Sequence, residues 1–122
     1  MKIAFTSKDG IYINQHFGWC EKFYIYEINE DGYYLVEEKD SSLKKDDEVE
    51  KLLYKLDCIE GCDIIYTAQI GPKAANMVQA ANVYPLRATS EEDKIEDALQ
   101  SLLKMISGNA PLWLKRILLK KQ

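Results

Sequence analysis

One histidine serves a chain of 122 residues, with only three cysteines and three prolines beside it. Each scarcity excludes something. One His with one nearby Cys cannot complete a closed four-ligand metal site. An odd set of cysteines (Cys20, Cys58 and Cys62) is no disulfide framework; free thiols, ligands or core residues in a cytoplasmic protein are expected instead. No apolar run approaches the ~20 residues that span a membrane, and "MKIAFTS" lacks the apolar core and cleavage site of a signal peptide. A cytoplasmic location and no membrane partner follow as expectations. The net charge of −4 leaves no basic surplus for a dedicated nucleic-acid binder. Phosphate-loop, zinc-protease and serine-hydrolase signatures are all missing. The first strand, "KIAFTS", carries no acid, and Asp63 opens a later strand at the wrong end, so a metal-dependent nuclease is not expected. No catalytic residue is predicted.

What is present fits one domain. Apolar residues make up 47% and charged residues 30%, as in an ordinary globular protein. "KIAFTS" (2–7) reads as a strand, closed by Lys8-Asp9-Gly10. "KFYIYEI" (22–28) and "YYLVEEK" (33–39), joined by the turn "NEDG", make a β-hairpin. Val49, Leu52, Leu53 and Leu56 define one face of a helix over 46–56, stopped by Gly61. "CDIIYTA" (62–68) is a buried strand, and Gly71-Pro72 opens a helix. "VYPLRA" (83–88) is a further strand, placed by its Pro at an edge or bulge. Ser90 is the expected N-cap of a strong helix running to Gly108. "PLWLKRILLKK" (111–121) forms a basic amphipathic tail, so residues 1–108 are the binding domain and 109–122 pack on it or extend from it. Strands alternating with helices imply an α/β fold: a mixed, mostly parallel sheet with one antiparallel hairpin strand and helices on both faces.

This topology places a site. Ligands of open α/β sheets bind outside the carboxyl ends of the parallel strands. Three connections leave that edge. Residues 8–20 carry "NQHFGWC"; Gln69-Ile70-Gly71 and Ala88-Thr89-Ser90 each run into a helix start. The N–H groups near Ile70 and Gly71, and near Thr89 and Ser90, therefore suit an anion. A neutral imidazole suits iron, and a thiolate suits iron–sulfur species, so His16 and Cys20 are the candidate metal ligands. Asn14 and Gln15 can hydrogen-bond a cargo or stabilise their own loop. Phe17 is expected to pack beneath the loop. Trp19 is either a lid or an anchor, and Gly18 is expected to permit a turn that a Cβ would block. One or two protein ligands fit something already assembled, such as an anionic metal–sulfur cluster.

Here "MKIAFTS", "NQHFG", "FYIYEI" and "GCDIIYTAQIGPKAANMV" together resemble the dinitrogenase iron–molybdenum cofactor biosynthesis domain family over residues 1–106. The resemblance implies a three-layer, ribonuclease-H-like α/β/α fold. It also implies function without catalysis, as a carrier, not an enzyme, that binds and hands on a preassembled cluster: an iron–sulfur precursor (NifB-type cofactor) or the iron–molybdenum cofactor. Its implied partners are the cluster-building and cluster-receiving proteins of nitrogenase assembly. His16 matches the family's cluster-linked histidine. Two further readings stay open from the residues alone: a metal-free interaction or regulatory module using Phe17, Trp19 and the tail, and a thiol redox protein using Cys20, which has no CxxC partner.

Overall fold

Side-chain alternation along the first strand sets the layering. β1 (Lys2–Thr6) sends Ala4 to one face and Ile3 and Phe5 to the other, all fully buried. A strand covered on both faces belongs in the middle of a sheet. The computed structural model, which describes residues 1–120, places it there. β2 (Lys22–Asn29) and β3 (Gly32–Asp40) form the hairpin on one side of β1; β4 (Ile64–Thr67) and β5 (Tyr84–Arg87) continue on the other. The sheet order is β3-β2-β1-β4-β5. β2 runs antiparallel to both neighbours, while the β1–β4 and β4–β5 pairs are parallel, so β2 alone opposes the common direction.

Two helices cover each face. α1 (Glu48–Cys58) and α2 (Pro72–Ala80) bring Leu52, Cys58, Ala74 and Val78 onto the Ala4 side. α3 (Ile95–Ser107) and α4 (Leu112–Lys120) bring Ile95, Leu99, Leu102 and Trp113 onto the Phe5 side. The three-layer α/β/α arrangement is the expected one. Pro85 lies in β5, an edge strand, where it is tolerated. In the tail, Leu114 is fully buried and the Trp113 ring stacks on Tyr84 at 4.4 Å. The tail helix was expected to reach Lys121; that residue and Gln122 lie outside the described ones. Among the described residues no helix is long and apolar enough to cross a membrane.

Three local expectations need correction. Ser90 is not an N-cap: α3 begins at Ile95, five residues later, with Lys94 at the cap position. Asp93 competes for the chain before it. Its carboxylate accepts the Thr89 N–H at 2.7 Å and the Thr89 hydroxyl at 2.9 Å, closing a turn instead of a helix. The buried face of α1 is also shifted. Leu52 is buried, but Val49 and Leu53 are exposed, and Lys55 and Cys58 turn inward instead. Finally, a Cβ on Gly18 would meet nothing closer than the Lys51 side chain at 3.8 Å, so its turn does not require glycine. Gly10 is the glycine the loop needs: its φ is +79°, and a Cβ there would lie 2.9 Å from the Tyr24 ring.

Candidate functional site

Two threonines anchor the histidine loop. Thr6 ends β1 and Thr67 ends β4, and both are fully buried. The Thr6 hydroxyl donates to the Gln15 carbonyl at 2.8 Å, and the Thr67 hydroxyl lies 3.0 Å from the same oxygen. The Ala68 N–H reaches it as well, at 3.1 Å. One residue on, the Phe17 N–H donates to Gln69, and His16 pairs with Gln69 in a parallel bridge. The chain then turns sharply. The N–H groups of Trp19 and Cys20 both donate to the His16 carbonyl, at 3.2 and 3.0 Å. Phe17, fully buried against Phe23, holds the turn down.

These constraints leave the imidazole of His16 half-buried at the mouth of a groove of about 390 Å³. Trp19, 71% exposed, stacks flat on the ring at 4.9 Å, so it is not a partly buried anchor. The imidazole nitrogens make no hydrogen bond to any described residue. The groove is also lined by Ile70, Gly71 and Lys73, and by Lys51 of α1. Gly71 is the N-cap of α2 and gives no side-chain cap. The first-turn N–H groups of Lys73 and Ala74 therefore have no intrahelical partner, Pro72 having none to offer. Glu48 is the one acid of the lining, and it pairs with Lys51 at 3.0 Å. The groove presents positive charge and N–H donors around an imidazole in a chain of net charge −4.

His16, Ile70 and Gly71 are thus brought together as expected. The other candidates are not. Asn14 accepts the Lys8 N–H at 2.9 Å and serves its loop. Gln15 donates to the Asn14 carbonyl and lines a separate cleft with Lys8 and Lys22. Thr89 and Ser90 spend their polar groups on Asp93, and their connection meets residues 11–13 through the Ile13–Asp93 and Ile95–Ile11 hydrogen bonds, away from the ring. Cys20 is also displaced from its expected ligand role. Its side chain is fully buried and its thiol donates to the Phe17 carbonyl at 3.3 Å. Burial also pushes that thiol up to about 11. The residues that sequence reasoning missed are Gln69, Lys51 and Lys73 in the groove and the threonine pair beneath it. The available signal for the pair was one residue type closing two strands, "KIAFT" and "IIYT".

Two expected outcomes follow from this chemistry. Burial raises all three thiols, Cys62 to about 12. DTNB at pH ~8, near the free-thiol pKa, should therefore label the native protein very slowly and release all three thiols only in denaturant. Fast labelling of any native thiol would contradict the burial.

The loop also stores an acid-sensitive contribution. Asp9 accepts the N–H groups of Tyr12 and Ile11 at 3.0 and 2.9 Å, which holds its carboxyl below the usual range. Asp93 is lowered likewise by the Thr89 N–H and hydroxyl. A depressed folded-state pKa gives stability that is complete above the unfolded value, about 3.9. That stability is lost as pH falls through the folded value. Melting temperature should therefore drop below pH ~4, and less steeply in Asp9→Asn; identical acid profiles would contradict the assignment.

Comparison with known proteins places this site in a family. The model of the family described as "Dinitrogenase iron-molybdenum cofactor" matches residues 1–105. NifX of Herbaspirillum seropedicae is 32% identical over all of this chain and 84% of its own length. NifX of Azotobacter vinelandii is 29% identical over 95% of this chain and 73% of its own. NifY of Klebsiella pneumoniae is 29% identical over 93% of this chain but only 48% of itself. A solved structure, that of PH0822, superposes with a TM-score of 0.62 over 84% of this chain and 88% of that one; at 17% identity it speaks to the fold alone. The sequence match runs from β1 through nearly all of α3 and takes in the histidine turn and the start of α2: the chain belongs to the dinitrogenase iron–molybdenum cofactor family.

Proposed function

We propose that the protein is a non-catalytic carrier in nitrogenase cofactor biosynthesis. It holds a preassembled iron–sulfur precursor or iron–molybdenum cluster between the protein that builds it and the protein that receives it. The observation that carries this reading is the His16 imidazole: its nitrogens make no hydrogen bond to any described residue, and it lines a groove of N–H donors and lysines. A neutral imidazole is a good ligand for iron. The lysines and the start of α2 offset the cluster's negative charge. Among the described residues no three His, Cys, Asp or Glu side chains gather into a metal cage. The cargo therefore brings its own sulfides, and the protein supplies one exchangeable ligand. A single ligand under a stacked, exposed indole suits a carrier, which must release what it protects.

Support for the pathway comes from membership of the family and from relatives named NifX and NifY. Its partners are then cluster-building and cluster-receiving proteins, met in a reducing cytoplasm that keeps the three thiols free. The test is co-expression with a cluster-building enzyme and purification under nitrogen. Brown protein carrying iron and sulfide is expected. Colourless protein from cells that make the cluster would overturn the reading and favour a metal-free interaction module.

A further inference from the structure

α1 buries a lysine. Lys55 is 4% exposed, and no ion pair among the described residues includes it. Its ammonium lies 5.7 Å from the centre of the Tyr54 ring and is otherwise held by oxygens. It donates to the Cys20 carbonyl, to the Ser41 carbonyl at 2.5 Å and to the Ser41 hydroxyl oxygen at 3.4 Å. Three donors meet three acceptors. The Ser41 hydroxyl in turn donates to the Cys20 carbonyl at 2.9 Å, and the Ser41 N–H donates to Glu21. A buried ammonium without a carboxylate is costly, and Leu or Met would fill the same space at no such cost.

The carbonyl that Lys55 grips identifies the use. Cys20 closes the histidine turn, since its N–H donates to the His16 carbonyl beside that of Trp19. Thr6 and Thr67 fix the incoming side of that turn at Gln15; Lys55 and Ser41 fix the outgoing side at Cys20. We propose that Lys55 is the positioning residue of the candidate site: its ammonium locks the Cys20 carbonyl to the end of β3 and thereby sets the stacked His16–Trp19 pair. Lys55 does not line the His16 groove and touches no cargo there. As a statement about the loop this stands alone; as a statement about cargo it rests on the reading of His16 above.

The test is NMR of the apo-protein, reading the Trp19 indole N–H and the His16 ring protons in wild type, Lys55→Met, Lys55→Gln and Leu102→Ala. Leu102 is buried on the opposite face, so Leu102→Ala lowers stability without touching the turn. Lys55→Met should shift and broaden both signals. Lys55→Gln, neutral but still a donor, should restore much of the wild-type pattern. Leu102→Ala should leave both in place. Should Lys55→Met fail to fold, Ser41→Ala takes one acceptor away and should move the same two signals. Unchanged signals in the Lys55 and Ser41 variants, or equal shifts in Leu102→Ala, would overturn the proposal.

The cargo arm uses isolated iron–sulfur precursor cluster as the probe. Lys55→Met, or Lys55→Gln if it alone folds, should bind it more weakly; for Lys55→Met the loss should be roughly 10- to 100-fold, as for loss of an outer-shell partner. Undiminished binding would confine Lys55 to the loop and overturn its role toward cargo. No binding by wild type would overturn the carrier reading, while the loop proposal is still judged by the two signals.

Discussion

His16→Ala is expected to keep its fold and lose its cargo. The imidazole is half-buried, makes no hydrogen bond to described residues and contributes chiefly a stack on Trp19. Stacks of this kind are worth about 0.5–1.5 kcal/mol, so thermal stability should fall by no more than about 1.5 kcal/mol. Cluster affinity should fall much further. Outer-shell partners of a metal ligand are worth roughly 10- to 100-fold, and the ligand itself should exceed that. Titration under nitrogen, followed by the visible absorption of the cluster, measures the effect. A mutant that binds within a few-fold of wild type would remove His16 from the ligand role.

The neighbouring residue should behave in the opposite way. Phe17 is fully buried and packs on Phe23 at 5.8 Å. Phe17→Ala leaves a cavity beneath the turn and should cost about 3–5 kcal/mol, a large share of the 5–15 kcal/mol that holds a typical domain together. For a chain of this length that is a fall of about 10–20 °C in melting temperature, read by circular dichroism. Cargo binding should weaken too, because the floor under His16 goes with the ring. A loss of less than about 1 kcal/mol would mean that the turn is held by its backbone hydrogen bonds alone. One step along the chain thus separates a residue kept for function from a residue kept for the fold.

Patterns carried by the chain's own chemistry were legible in the sequence. The hairpin, the Pro72 start of α2, the edge position of Pro85 and the two-faced burial of β4 all follow from local residue properties. The His16 groove follows from topology, because the connections that leave the parallel neighbours β1 and β4 meet at one sheet edge. What was hidden depended on contacts across the fold. Ser90 has every mark of an N-cap, but the turn closed by Asp93 and the pairing of Tyr12 with Lys94 hold the helix back to Ile95. Lys55 carries no local signal because its acceptors lie 14 and 35 residues away. Cys20 reads as a ligand by proximity to His16, and only the turn of the chain sends its sulfur inward.

The central claim is that this chain binds a preassembled cluster. Anaerobic gel filtration of the wild-type apo-protein mixed with isolated iron–sulfur precursor cluster, with iron and protein followed across the eluate, tests it most directly. The carrier account predicts one peak that holds both. Protein eluting free of iron, with the cluster recovered intact in a separate peak, would contradict it.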